Sequence, residues 1–172
     1  MDGKKKKDQI IRLLQGNARM SNQEIGDRLN LAPEAVAELI GALEKDGTIM
    51  GYHAIVNQEA VEEAGVRAII EVEVHPERDG GFDRIARMIS KFEEVTAVHL
   101  VSGRYDLRLE VVGPTLEKVA FFVASKLAPL EGVSATATHF LLKKYKEAGF
   151  AMHKDEEYER LKEEGLTWEP RE

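Results

Sequence analysis

Three stretches of this 172-residue chain hold side chains whose types and spacing could do chemistry. Lys4, Lys5, Lys6 and Lys7 concentrate positive charge near the start, and such a run can contact phosphates or simply be solvated. Glu34 and Glu38 stand four apart, a spacing that puts both carboxylates on one face of a helix. Ser102-Gly103-Arg104-Tyr105-Asp106 gathers a hydroxyl, a guanidinium, a phenol and a carboxylate around one glycine. Read alone, that run is a turn in which glycine supplies a positive φ and Tyr-Asp opens a strand. The five histidines, His53, His75, His99, His139 and His153, include no pair three or four apart, so no metal site is expected. With no cysteine, disulfides, cysteine-ligated zinc and thiol catalysis are excluded. Phosphate loops, nucleophile elbows and catalytic carboxylate pairs are also absent, so neither an enzyme nor a cofactor is expected.

The elements that must position these residues are readable from periodicity. Ile10, Leu13 and Leu14 recur at helical spacing up to Gly16, a candidate left-handed helix stop. Ser21-Asn22-Gln23-Glu24 has the form of a capping box and opens a short second helix containing Ile25 and Leu29. Pro33 suits the first position of a third helix, whose stripe is Val36, Leu39, Ile40 and Leu43. Asp46-Gly47 is a turn signal, and residues 48–56 are rich in β-branched and aromatic side chains, a candidate wing hairpin. From Val66 the period changes to two, through Ala68, Ile70, Val72 and Val74. After Asp79-Gly80-Gly81 comes a helix bearing Phe82, Ile85, Ala86 and Ile89, then strands over residues 95–101 and 106–112, a helix over 115–127 and a strand over 133–142. The order β-α-β-β-α-β is the split βαβ, or ferredoxin-like, unit. Its helices cover one sheet face and leave the other for a partner, and dimerisation is the economical answer. The fold class is therefore α+β: an N-terminal winged helix-turn-helix over residues 1–57, a linker over 58–65, a ferredoxin-like domain over 66–148 and an acidic C-terminal tail over 149–172. Within the tail, residues 155–164 suggest a short helix, and Trp168 is a candidate docking residue.

Charge is unevenly spread. Of the net −7, residues 1–57 hold 8 basic and 8 acidic side chains, 58–148 hold 12 and 15, and 149–172 hold 4 and 8. A pI near 5.4 argues against generic polyanion binding, whose usual footprint is a domain pI above about 9. Residues 1–7 are charged with no apolar run after them, and no stretch approaches about 18 apolar residues. No membrane partner is expected, and the expected location is cytoplasmic.

The layout and several local motifs resemble the Lrp/AsnC, or feast/famine, family of transcriptional regulators. Arg19-Met20-Ser21-Asn22-Gln23-Glu24-Ile25-Gly26 resembles that family's entry to helix two. Leu31-Ala32-Pro33, Leu43-Glu44-Lys45-Asp46-Gly47-Thr48-Ile49 and Gly51-Tyr52 resemble its recognition helix and wing. Gly103-Arg104-Tyr105-Asp106 resembles its Gly-x-Tyr-Asp turn, and Pro129-Leu130-Glu131-Gly132-Val133 with Thr136-Ala137-Thr138 resembles its last strand. The resemblance implies a regulator that binds double-stranded DNA, assembles from homodimers into a higher oligomer and responds to a small effector such as an amino acid. It implies DNA contacts from Lys4, Lys5, Lys6, Lys7, Arg19, Ser21, Pro33, Glu34, Ala35, Ala37, Glu38 and Gly41. The implied effector site comprises Ser102, Gly103, Arg104, Tyr105, Asp106, Thr136 and Thr138. There Asp106 would accept from an ammonium group, while backbone amides near Gly103 and Arg104 and the threonine hydroxyls would hold a carboxylate.

One departure from the family pattern is chemical. Typical members carry Arg and Lys on the solvent face of the recognition helix, whereas here the positions read Glu34, Ala35, Ala37, Glu38, Gly41 and Ala42. Carboxylates cannot supply the counterion-release contribution that dominates DNA affinity, so binding is expected to be weak per subunit and to rest on oligomer avidity. The competing expectation is an effector-binding oligomer whose winged helix has lost DNA readout and serves as a dimerisation or docking module. A tetrapyrrole-type decarboxylase on the same architecture is disfavoured by the absence of clustered His, Arg or Tyr.

Overall fold

The computed structural model describes residues 2–57, 60, 61, 65–75 and 81–152. They fall into two units, Met1–Ile55 and Val56–Glu172. The expected tail helix and Trp168 lie outside the described residues, as does most of the 58–65 linker.

The first unit holds three helices, α1 (Asp2–Gly16), α2 (Asn22–Leu29) and α3 (Pro33–Lys45). Ile10, Leu14, Ile25, Val36 and Leu43 form its buried centre, ringed by half-buried residues that include Leu29, Leu31, Leu39 and Ile40. These are the apolar positions of the three helical stripes. The capping box is complete: the Glu24 amide donates to Ser21 Oγ (3.2 Å), and the Ser21 amide donates to Glu24 Oε2 (2.8 Å). The turn from α2 to α3 depends on two residues. Asn30 adopts the left-handed conformation at φ 52, and a Cβ on Gly26 would meet the Leu31 carbonyl oxygen at 2.5 Å. Only a glycine lets that carbonyl lie so close to α2. Gly16, by contrast, ends α1 while remaining helical rather than left-handed.

Residues 48–57 form no strand, so the expected wing hairpin is absent from the described residues. The Asp46-Gly47 turn closes α3 instead, with the Ile49 amide donating to the Leu43 carbonyl (3.0 Å) and Gly47 at φ 76. Turn chemistry that serves a hairpin also serves a helix C-terminus, and here the helix took it.

The second unit is one antiparallel sheet of β1 (Val66–Val74), β2 (Val95–Leu100), β3 (Leu107–Gly113) and β4 (Val133–Phe140), in the order β2-β3-β1-β4. Helices α4 (Asp83–Ile89) and α5 (Leu116–Phe122) pack on the face that carries Ala68, Ile70, Val72, Leu107, Leu109 and Val111. The expected helix over 115–127 is two pieces. Thr115 caps α5, and the chain then widens into a π-helical turn, Val123–Leu127, closed by the Ala128 amide on the Val123 carbonyl (2.8 Å). Beyond β4, a feature with no forecast appears: β5 (Lys146–Glu147) pairs with β6 (Phe150–Ala151) across Ala148 and Gly149, both at positive φ.

Gly132, at φ 94, leads into β4, and a Cβ there would come within 2.5 Å of Cδ1 of the fully buried Ile85. Gly132→Ala is expected to cost about 1–3 kcal/mol through backbone strain and overpacking. A lower urea midpoint at unchanged m-value, followed by circular dichroism, is the expected signature.

Candidate functional site

On α3, the buried residues Val36 and Leu43 define the inner face. Glu34, Ala37, Glu38, Gly41 and Ala42 are all exposed, while Pro33 and Ala35 are half-buried against the unit. The open face of the helix therefore carries two carboxylates set among residues with little or no side chain, with the exposed Lys45 at its C-terminal end. Lys4–Lys7 are not an extended arm but four consecutive positions within α1, spread about 100° apart around its axis. Of them Lys4 and Lys5 are exposed, and Lys7 is paired with Asp46 (Nζ to Oδ2, 3.4 Å). Arg19 is exposed in the turn before α2. The Ser21 hydroxyl is spent within the capping box, where it also donates to Glu24 Oε2 (2.8 Å).

Two features went unread in the sequence. Tyr52 donates its hydroxyl to Glu44 Oε1 (2.9 Å), tying the segment after α3 back onto that helix; loss of solvent and then this bond raise the Tyr52 pKa. Arg12 and Arg28 share a shallow hollow with Gln9, Leu13 and Leu29. Neither arginine belongs to a recognisable motif, and only the packing of α1 beside α2 brings them together.

In the second unit, the run 102–106 joins β2 to β3 as an open turn. Gly103 sits at φ 153 with open space where a Cβ would stand, and the Arg104 guanidinium lies 5.5 Å over the Tyr105 ring. Asp106 has a structural task. Its Oδ2 accepts from the Val74 amide (2.8 Å) and its own amide donates to the Val72 carbonyl (3.1 Å). One carboxylate oxygen is thus committed to β1. Thr136 and Thr138 pair with Val72 and Ile70, which places them on the helix-covered side of β4. Because β1 lies between β3 and β4, the turn and the threonines are not gathered into one cavity within a single chain. Among the described residues, no group of three His, Asp or Glu side chains could hold a metal ion.

Comparison with known proteins places these two units. Residues 5–50 match a winged helix-turn-helix DNA-binding family, and residues 67–149 match the Lrp/AsnC ligand binding domain. The chain is 39% identical over 145 residues to the uncharacterised helix-turn-helix transcriptional regulator YugG of Bacillus subtilis, covering 84% of this chain and 87% of that one. The chain belongs to the Lrp/AsnC family. The leucine-responsive regulatory protein of Haemophilus influenzae is 30% identical across 84% of this chain and 87% of its own length. A solved Neisseria meningitidis transcriptional regulator in complex with L-Met superposes with a TM-score of 0.65 at 27% identity, covering 83% of this chain and 92% of that one.

This Lrp/AsnC protein is accordingly a DNA-binding transcriptional regulator whose activity is modulated by a small effector, with its DNA-binding and ligand-binding parts in the order anticipated. The reading of the first unit as a mere docking module is not favoured. No helix among the described residues is long and apolar enough to cross a membrane.

Two outcomes follow from the local chemistry. Asp106→Ala should leave the Val74 amide without its acceptor and destabilise the protein by about 1–3 kcal/mol in urea unfolding, while Asp106→Asn, which keeps an acceptor oxygen, should recover most of that loss. In the capping box, the Ser21 amide and then the Ser21 hydroxyl hold the Glu24 carboxyl below its ordinary value of 4.5. A depressed folded-state pKa contributes stability that is complete above the unfolded value and is lost as pH falls through the folded one. Helical unfolding of Glu24→Gln should therefore depend less on pH below about 4.5 than that of the parent protein.

Proposed function

We propose that this protein is an amino-acid-responsive regulator in which residues 1–57 contact operator DNA, residues 66–148 bind the effector and join subunits, and residues 58–65 connect them. Residues 149–172 lie outside both roles. The observation that carries the reading is a complete helix-turn-helix unit on the same chain as a one-sided sheet. Along β1, Arg67, Ile69, Glu71 and Glu73 alternate with the core residues, and the described residues leave the face they share half-open, with Glu73 exposed. A second copy supplies the cover in a homodimer, and dimers assemble further. The effector turn 102–106 then meets groups from a neighbouring chain. That accounts for a site left incomplete in a single chain: Arg104, backbone amides at Gly103 and Arg104, and the free oxygen of Asp106 can hold an amino acid's charged groups once a partner closes it. The L-Met complex of the Neisseria regulator and the leucine response of the Haemophilus protein support an amino acid as the ligand class. The protein performs no catalysis and works in the cytoplasm, where such effectors are abundant.

DNA is held weakly by each subunit. Across residues 17–51, Arg19, Arg28 and Lys45 oppose Glu24, Asp27, Glu34, Glu38, Glu44 and Asp46. Few phosphate contacts give a shallow salt response, because each contributes about −0.9 to the log-log slope. Fluorescence anisotropy on genomic duplexes should yield a slope shallower than about −6 per dimer, and calorimetry with the twenty amino acids should identify at least one ligand. A steeper slope would refute the scarcity of phosphate contacts, and silence across all twenty titrations would refute the effector class.

A further inference from the structure

The open face of the sheet in the second unit is charged rather than apolar, and its charges do not cancel. Direct cross-strand pairing sets His99 of β2, Arg108 of β3 and Glu71 of β1 in one row, and Ala97, Glu110, Ile69 and His139 in the next. Arg67 and Glu73 are the other charged positions that the four strands present on this side. With neutral imidazoles, Arg67 and Arg108 therefore oppose Glu71, Glu73 and Glu110, two positive charges against three negative. Arg108 lies 3.5 Å from Glu110 and directly opposite Glu71, so one guanidinium serves two carboxylates. The further partner of Glu71 is His139 (Nε2 to Oε2, 3.3 Å), an imidazole that is charged only when protonated.

A second copy laid on this face, as the homodimer reading requires, takes these groups out of water. The face holds both signs, so it can complement itself in an isologous contact, where an arginine of each copy meets a glutamate of the other. Two such faces with neutral imidazoles still bring together more carboxylates than cations, and a buried charge without a partner is costly. We propose that homodimerisation across this face is coupled to proton uptake by His139 on Glu71, so that assembly tightens as pH falls through the range of about 5 to 8 in which imidazole ordinarily charges. The proposal rests on the homodimer reading and adds its regulation. Protonation of His139 supplies a cation where the carboxylates outnumber their partners, and the association constant rises by about tenfold per pH unit for each proton taken up. Two arginines act in the opposite sense. Arg67 stands diagonal to His139 on β1, and Arg108 faces His99, so a proton on His99 adds a like charge beside a guanidinium. His75 and Asp106 stand at the other end of the sheet, where Asp106 is already engaged by the Val74 amide.

The deciding experiment is analytical ultracentrifugation of the full-length protein in dilution series from about pH 8.5 to about pH 6 at constant ionic strength, beside His139→Gln and Glu71→Gln. The His139 and Glu71 side chains are 60% and 36% exposed, so neither substitution hollows the core, and circular dichroism checks the fold. The parental dimer dissociation constant should fall by about tenfold or more over that range. His139→Gln should stay near the weak high-pH value throughout, and Glu71→Gln, whose face balances without a proton, near the tight low-pH value. Urea dissociation at two protein concentrations extends the comparison to dimers too tight to dilute apart. A parental affinity that ignores pH, or a slope that His139→Gln retains, would overturn the proton coupling while leaving the dimer in place. So would a slope that His99→Gln abolishes instead. A parent that is monomeric at every pH and concentration would overturn the homodimer reading itself.

Discussion

The alternation along β1 is the constraint on which the second unit rests. Ala68, Ile70, Val72 and Val74 are buried beneath the helices, and the residues between them, Arg67, Ile69, Glu71 and Glu73, face the other way. Because β1 is hydrogen-bonded to β3 on one edge and β4 on the other, its phase sets the phase of the whole sheet. A slip of one residue would push Glu71 and Glu73 under α4 and α5, where an uncompensated charge is strongly destabilising. The regular ladder between β1 and β3 runs out at Val72 and Leu107. Two residues later the Val74 amide is satisfied by the Asp106 carboxylate rather than by a backbone carbonyl. The shape of the 102–106 turn is thereby tied to the register of the central strand, and a group placed there by local sequence is held by tertiary structure.

The helical unit meets a different limit. With only five fully packed apolar side chains, it has little core to spare, and its geometry depends on close backbone approach. The Leu31 amide donates to the Gly26 carbonyl (2.9 Å) while the Leu31 carbonyl lies against the Gly26 Cα, so the chain can reverse from α2 into α3 without a loop long enough to blur their relation. The direction of α3, and with it the direction of Glu34 and Glu38, follows from that contact.

What sequence could foretell divides along the same line. Periodicity is a local property, so the three helical stripes, the alternating β1 and the β-α-β-β-α-β order were legible, and the capping box was legible to the atom because its partners lie three residues apart. Contacts set by distant segments were not. Asp106 reads as a free acceptor until Val74, 32 residues away, donates to it. The register also sets Thr136 and Thr138 on the helix side of β4, a placement that residue type alone does not announce. The wing failed for another reason: Asp46-Gly47 and the β-branched residues after it are compatible with a hairpin, but a ladder needs a facing strand that composition cannot guarantee. The π-helical turn likewise has no signature in an apolar pattern that an α-helix would fit equally well. Lys126, paired with Glu94 (2.5 Å) and lying near the Phe92 and Phe122 rings, holds the widened turn against the start of β2.

Electrostatics bears on both units. In the proposed assembly, carboxylates at the surface of α3 leave each helical unit few phosphate contacts, and occupancy of an operator then depends on how many units are linked and at what effective concentration. The proposed linkage falls to the open sheet face, which carries opposing charges of its own, among them Glu71 with His139 (3.3 Å) and Arg108 with Glu110 (3.5 Å). A subunit with strong phosphate contacts would stay on DNA whatever its neighbours did. One with weak contacts transmits any change in assembly directly into occupancy, since losing a linked partner removes a multiplicative factor rather than a small increment. In the proposed assembly, the acidity that first argues against a nucleic-acid partner is what would make an effector bound between subunits consequential for DNA.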